Sequence, residues 1–245
     1  MHVTTTCPTD FILNVSGWGW RCIQPSTGKG SVQHCMTEFP VIFRSFRPAG
    51  SIPPRETWVH SQKFLEKRGF CEIRRSWEAH LDVSKFDFSP FREHLERVKK
   101  TGITITTLAE EKTGSRDWFS KIYELHNLLM TDVPSSSPYT PVPREHFQRF
   151  FTENPDLLPD AFFIAKDGDL YVGESFVFRV PAEPGHLSQG LTGVRREYRG
   201  KGIAMALKLH VIKYAQERGY TLIKTWNDTE NLPILTLNEK LGFVR

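Results

Sequence analysis

The chain of 245 residues lacks any apolar run approaching the roughly 18 residues that cross a bilayer as a helix, which excludes a helical membrane protein. Its N-terminus lacks the basic-then-apolar layout of a secretory leader, so a soluble, cytoplasmic protein is expected. Cysteine is scarce: Cys7, Cys22, Cys35 and Cys71 show no Cys-x-x-Cys spacing, and no histidine pair stands beside them at helical or finger spacing. A metal site and a disulfide framework are therefore not expected. Charge bias is small, with 32 Lys and Arg against 28 Asp and Glu and a formal net charge of +4. Apart from one cluster the basic residues are spread out, which argues against nucleic acid as a partner. Two phosphate-binding loops are missing as well. Thr27-Gly-Lys-Gly-Ser31 has neither the first glycine of a nucleotide P-loop nor a hydroxyl directly after the lysine, and Met205 stands where a dinucleotide fingerprint needs its third glycine. What is left is a globular chain, 39% hydrophobic and 24% charged, long enough for one large domain or two small ones.

The basic cluster is the most informative stretch. A strand-like run from Leu191 to Val194 breaks into a turn holding Arg195, Arg196, Arg199, Gly200, Lys201 and Gly202, then into a helix. Such a turn aims backbone N–H groups at a helix N-terminus, where unpaired amides and the helix dipole favour a phosphate. Gly200 and Gly202 have no Cβ to hold a ligand away, and the arginines and Lys201 surround it with positive charge. Ile203, Leu207, Val211 and Ala215 recur every four residues to give the helix a core face, and Gly219 marks its end.

Upstream, Ile103 to Leu108 alternates as a strand, Asp117 to Met130 carries Phe119, Ile122, Leu125, Leu128 and Leu129 at helical spacing, and Arg144 to Phe151 forms a short helix. The four prolines between Val133 and Pro143 forbid regular structure there. Lys166-Asp-Gly-Asp169 is a hairpin turn between the strands Ala161 to Ala165 and Leu170 to Val180. In the second of these, alternation sets Glu174 on one face with Leu170, Val172, Phe176 and Phe178. A carboxylate among apolar groups has a raised pKa, so Glu174 is the candidate general base. His186 and Asp132 are further candidates. After the cradle helix, Thr221 to Trp226 reads as another strand.

Arg199-Gly-Lys-Gly202-Ile-Ala204 fits the pattern Arg/Gln-x-x-Gly-x-Gly/Ala, and behind it come the helix, the strand, Asn231 and Leu241-Gly242-Phe243. In these residues the chain resembles the GCN5-related N-acetyltransferases, closely from Leu191 onward and by element order from about residue 104. The resemblance implies an α/β fold, with a mixed, mostly antiparallel central sheet flanked by helices on both faces. It implies acetyl-CoA as acyl donor and direct transfer of acetyl to a primary amine. By motif position, the amides of Arg199, Gly200, Lys201, Gly202, Ile203 and Ala204 hold the pyrophosphate. Thr192, Gly193 and Val194 pair with the pantetheine arm, the N–H of Val194 stabilises the oxyanion, and Asn231 meets the arm. Asn227 is a second candidate for that contact or else a turn residue. Asn238 departs from the pattern, because the family usually has a tyrosine there that protonates the departing thiolate. A carboxamide can hydrogen-bond a thiolate but has no proton to give. Water, the incoming ammonium or another residue such as Tyr139 must do that work. The proline-rich loop resembles the family's acceptor-side lid, with Ser135 to Ser137 and Tyr139 as substrate contacts or with the loop as a plain connector. The acceptor is unidentified. A non-catalytic acyl-CoA-binding or regulatory module remains an alternative, motivated by Asn238, and a nucleic-acid-binding protein is a third reading.

Phe64-Leu-Glu-Lys-Arg-Gly-Phe-Cys-Glu-Ile-Arg74 resembles Leu237-Asn-Glu-Lys-Leu-Gly-Phe-Val-Arg245, with Glu66, Lys67, Gly69 and Phe70 recurring. The organisation expected is an irregular segment at 1–55, a partial copy of the family's C-terminal helix and strand at 56–100, and the acetyltransferase-like domain at 103–245. The repeat is what a truncated tandem member of the family would show. The family's last strand is expected to be absent from the domain, either because the sequence is a fragment or because another segment completes the sheet, and residues 71–83 are expected along the sheet edge near its place.

Overall fold

A computed structural model describes residues 12–15, 18–22, 63–64, 66–67, 70–135 and 138–245. The chain divides into two compact units, Met1–Arg75 and Ser76–Arg245. In the first, β1 (Ile12–Val15) pairs antiparallel with β2 (Trp18–Cys22), and β2 pairs with the opening residues of β3 (Phe70–Asp82), Trp18 opposite Arg75 and Cys22 opposite Phe70. This hairpin corrects the expectation that residues 1–55 are irregular. Strands of four and five residues are too short to display a period, although Ile12, Val15, Trp18 and Trp20 are strand formers. The rest of 1–55 lies outside the described residues, as does Gly69 of the repeated tetrad.

The second unit is built on a six-stranded sheet in the order β3-β8-β7-β6-β5-β4. Its elements follow β3 as α1 (Arg92–Lys100), β4 (Ile103–Thr107), α2 (Leu108–Gly114), α3 (Trp118–Met130), α4 (Arg144–Glu153), β5 (Leu157–Asp167), β6 (Leu170–Arg179), β7 (His186–Val194), α5 (Ile203–Glu217), β8 (Leu222–Asp228) and α6 (Leu232–Lys240). The expected order is present with one addition. Helix α2 was not foreseen, yet Thr107 and Glu110 form a reciprocal capping box that ends β4 and starts it one residue before Leu108. Gly219, at φ +75°, ends α5, and Tyr220 N–H donates to the Ala215 carbonyl at 2.9 Å in a Schellman closure.

All ladders of this sheet are antiparallel except β7 with β8. Ser76–Asp82 of β3 runs antiparallel along β8, Ser76 opposite Asp228 and Asp82 opposite Leu222. On the other side of β3, His80 and Val244 exchange two backbone hydrogen bonds of 2.7 and 2.9 Å. Residues 76–82 thus lie where the sheet-edge expectation put them.

Helices cover both faces, and the two cores differ. On one, α5 and α1 pack Ile203, Ala206, Leu207, Val211, Ala215 and Val98 against Phe163, Ala165, Val172, Val177, Leu187 and Ile223. On the other, α3 and α4 pack Ile122, Leu125, Leu129, Phe147 and Phe151 against Phe162, Ile164, Tyr171 and Phe176. Neighbouring strand residues go to opposite cores, as a pleated strand requires. Among the described residues no helix is long and apolar enough to cross a membrane.

Candidate active site

Two bulges shape the centre of the sheet. In β6, Lys166 faces Tyr171 and Ala165 faces Gly173, so Val172 is an extra residue and alternation slips by one. Val172 therefore joins the α5 core, while Glu174 stays with Phe176 and Phe178 on the α3 side. This corrects the single-face expectation that grouped Glu174 with Leu170 and Val172; Leu170 is 42% exposed. In β7, Gly190 and Leu191 together oppose Phe176. A Cβ on Gly190 would sit 2.1 Å from the Phe176 ring, so only glycine fits there.

Beyond that bulge β7 leaves β8. Their parallel ladder covers only His186–Ser188 against Leu222–Lys224. Arg195 N–H donates to the Val172 carbonyl at 2.8 Å, which makes the next pair, Gly173 with Val194, a non-hydrogen-bonded pair. The N–H of Val194 consequently points away from β6 and toward β8, across the opening between the strands. By the same alternation Thr192 presents its backbone there too, while its Oγ1 contacts Ser175 Oγ at 2.8 Å. Gly193, opposite Glu174, turns its Cα toward Leu129 of α3.

The cradle follows directly. Gly200 and Gly202 take φ of +76° and +83°, and Gly202 is the N-cap of α5 without a side chain to cap it. The first intrahelical bond is Ala206 N–H to Gly202 C=O at 3.1 Å, so the amides of Ile203, Ala204 and Met205 have no acceptor within the helix. Space around Gly200 is open, with nothing within 4 Å of a Cβ placed there. Gly202 is closed instead: His94 Nε2 donates to its carbonyl at 2.9 Å, and a Cβ would lie 2.5 Å from His94 Cε1. The glycine at 202 thus admits α1, not a ligand.

The cations of the cradle are less free than their sequence suggests. Arg195 bonds Glu124 at 2.7 Å and the Tyr171 carbonyl at 2.8 Å. Arg196 and Arg199 both pair with Asp132, and Arg199 Nε also reaches the Val194 carbonyl at 3.1 Å. Lys201 lies 4.5 Å above the Tyr198 ring. Three guanidiniums therefore fasten the turn to α3 and the loop after it, which leaves the backbone amides as the donors not already paired. Hydrogen bonds from Arg196 first, and then Arg199, hold the Asp132 carboxyl below the usual carboxylate range, which removes it as a base candidate. His186 pairs with Glu183 at the start of β7, at the opposite end of the strand from Val194.

Glu174 does not act alone. It is fully buried, its Oε1 accepts from His126 Nδ1 at 2.6 Å, and its Oε2 is buried without a hydrogen-bond partner. His126 escaped the sequence reading. It follows Leu125 and stands one turn after Ile122 on the sheet-facing stripe of α3, where a polar residue among buried leucines was the available signal. Beside it Asn127 accepts from Tyr139 Oη at 2.7 Å, which ties the proline-rich loop to α3; Ser136 and Ser137 lie outside the described residues.

Asn227 and Asn238 come together; Asn231 is the N-cap of α6, half-buried, and makes no side-chain cap. Asn238 is buried, accepting from Lys208 Nζ at 2.7 Å and donating to Asn227 Oδ1 at 2.6 Å. Its carboxamide oxygen and one of its two N–H groups are thus engaged by the protein.

The model of the acetyltransferase (GNAT) family matches residues 121–243, half of the chain. The chain belongs to the acetyltransferase (GNAT) family. The matched span runs from α3 to the residues after α6 and contains His126, Glu174, the cradle and Asn238. Two curated relatives are mycothiol acetyltransferases. That of Arthrobacter sp. (strain FB24) is 35% identical over 68 residues, covering 26% of this chain and 21% of the relative. That of Pseudarthrobacter chlorophenolicus is 33% identical over 91 residues, covering 36% and 28%. The chain thus spans less than a third of either relative. Among solved structures, a GCN5-related N-acetyltransferase from Sphaerobacter thermophilus superposes with a TM-score of 0.58 at 21% identity, covering 76% of this chain and 53% of that one. A tandem GNAT protein from the clavulanic acid biosynthesis pathway gives 0.53 at 21%, covering 80% and 57%. These two likenesses concern the fold.

Proposed function

We propose that this chain binds acetyl-CoA and transfers its acetyl group to a primary amine by direct attack, in the cytoplasm. The observation that carries the reading is the opening between β7 and β8, which ends on the uncapped N-terminus of α5, with Glu174 on the adjacent strand β6 paired to His126 of α3. A thioester of coenzyme A supplies an activated acyl carbon and an anionic pyrophosphate. The open space at Gly200 and the unpaired amides of Ile203, Ala204 and Met205 suit the pyrophosphate. The outward-facing backbone of Thr192 and Val194 suits a peptide-like arm, and the Val194 N–H is the donor for the oxyanion.

Proton transfer falls to His126. Its Nδ1–H donates to the buried Glu174, which fixes the tautomer and leaves Nε2 free to accept, the arrangement that activates histidine in hydrolytic triads. Glu174 is thus the orienting carboxylate and not the base itself, because its oxygens are sealed from solvent. As the C–N bond forms, the amine proton passes to His126 Nε2, and the C–S bond breaks with its electron pair on sulfur. Asn227 and Asn231 remain candidates for the arm, and Tyr139 for the acceptor side.

Calorimetry with acetyl-CoA comes first, with micromolar binding expected; no binding would sink the reading. Thiol release over a panel of amines then identifies the acceptor class, and amines related to mycothiol head the panel because of the relatives' name. A specific observation favours a second reading, a non-catalytic acyl-CoA-binding module: Asn238 replaces the family's phenol and is turned inward. Tight binding with no turnover on any amine would support it.

A further inference from the structure

Lys208 is a lysine in the wrong place for an ordinary surface helix. It is 1% exposed, lies between the buried Leu207 and Leu209, and its Nζ has no carboxylate partner among the described residues. What faces it is the Asn238 carbonyl oxygen of α6 at 2.7 Å and the Phe243 ring, whose centroid is 4.6 Å away. The titratable groups nearby are engaged elsewhere. His94 of α1 bonds Gly202, and His210 of α5 contacts the Ala206 carbonyl. Asp228, at the end of β8, accepts from Glu230 N–H, and Glu239 of α6 pairs with Arg245. Strands β5 to β7 present apolar residues to α5. Burial alone lowers the Lys208 pKa from 10.5 to about 7.

The bonds from Lys208 run in one direction. Nζ donates to Asn238 Oδ1, and Asn238 Nδ2 donates to Asn227 Oδ1 at 2.6 Å. Because Asn227 Oδ1 is the acceptor, its own Nδ2–H groups form the far end of the chain. Asn227 stands on β8 beyond Lys224, where the ladder with β7 has ended. It shares the α5-facing side with Ile223 and Thr225, and so does the Thr192 side chain across the opening. Each carboxamide in such a chain is polarised by the one before it, and burial strengthens the effect.

We propose that Lys208 is a positioning residue which, through Asn238 and Asn227, presents a charge-assisted N–H donor to the sulfur leaving the acyl group. The inference rests on the acetyl-CoA reading above. It supplies what the missing tyrosine leaves undone by a different route: the sulfur departs as a thiolate stabilised by the Asn227 Nδ2–H, with no proton passing through the amides. The proton taken by His126 reaches thiolate or solvent afterwards, which closes the balance. Lys208 must carry its charge for this, so turnover declines as pH rises through the lysine's titration.

The test reads the bound thiol itself. In wild type, the thiol of bound coenzyme A, followed by thiolate ultraviolet absorbance against pH, should titrate about one unit lower than free coenzyme A, a tenfold shift in its ionisation. Lys208→Met and Asn238→Leu should each abolish that shift and flatten the alkaline fall in kcat, with acetyl-CoA affinity retained. Should both variants fail to fold, nitrogen NMR of Lys208 in the wild-type protein decides: its pKa should rise on binding coenzyme A but not S-methyl coenzyme A, which has no thiolate. A bound thiol that titrates like the free one, variants that leave the shift intact, or a Lys208 pKa indifferent to the thiolate would overturn the proposal. Absence of any coenzyme A binding would overturn the acetyl-CoA reading with it, whereas binding and turnover with an unshifted thiol would overturn the relay alone.

Discussion

The two faces of the central sheet bury ionisable groups in opposite ways. On the α3 face, aromatic rings enclose a carboxylate that keeps a histidine as its partner, with Phe162 and Phe176 stacked 4.4 Å apart beside it. On the α5 face, mostly aliphatic side chains enclose an ammonium that keeps a carboxamide and the face of the Phe243 ring but no carboxylate among the described residues. A buried charge is tolerable where hydrogen bonds and a counter-group replace water. The α3 face meets that condition with a group that can exchange a proton. The α5 face meets it partially, and the lysine gives up part of its basicity. On the function proposed above, the difference separates a proton-accepting side from a charge-supplying side, on either side of the same opening.

The comparison is broken most severely at His126. His126→Ala should lower kcat by about 10²–10⁴-fold while leaving the acetyl-CoA affinity unchanged, because a general base acts in the transition state; calorimetry beside steady-state kinetics checks both halves. Packing comes next. Phe162→Ala should cost about 3–5 kcal/mol and Leu207→Ala about 2–5, since both residues are fully buried but the first also loses a stacked ring. Urea denaturation of the pair tells whether the aromatic face is the stiffer one, and equal losses would erase that distinction.

Lys208→Met sharpens the contrast through pH. Folding lowers the lysine pKa from 10.5 to about 7, so between those values the unfolded chain binds the extra proton and wild-type stability rises with pH. The methionine variant lacks that slope. Its gain over wild type should be largest near pH 7 and should fade toward pH 10.5, as chemical denaturation across the range would show. The smallest effect belongs to Asp132→Asn. The arginines lower the folded pKa of Asp132, so its contribution is present above the unfolded value of about 3.9 and disappears as pH falls through the lower folded one. Arg196 and Arg199 are exposed, so screening keeps the loss below about 1 kcal/mol at neutral pH. Thermal melts at pH 7 and pH 3 should show a larger difference between wild type and variant at the higher value.

What could be read from the sequence was local. Helix α5, its glycine stop, the 166–169 hairpin and the cradle all follow from residues within a turn or two of one another. The site's partnerships do not. His126 and Glu174 are 48 positions apart, and Lys208 and Asn238 are 30 apart, so no window contains either pair. The Val172 bulge is invisible for a related reason, because an extra residue in a strand is defined only against its neighbour strand. Helix α2 is a different case, since its capping box is local, in Thr107-Leu-Ala-Glu110, but directly follows the stronger strand alternation of Ile103–Thr107.

The pairing of β3 with β8 bears on how the chain is made. The ribosome delivers β3 before β4, yet the strand it lies against, β8, is the last of the described strands to emerge. Closing that ladder joins distant parts of the chain, the kind of contact that slows folding. During synthesis the 76–82 segment must wait with an unpaired edge while α3, β5, β6, β7 and α5 assemble. Glu78, His80 and Asp82, charged or polar on that edge, suit the wait, because such residues discourage premature strand pairing with other nascent chains.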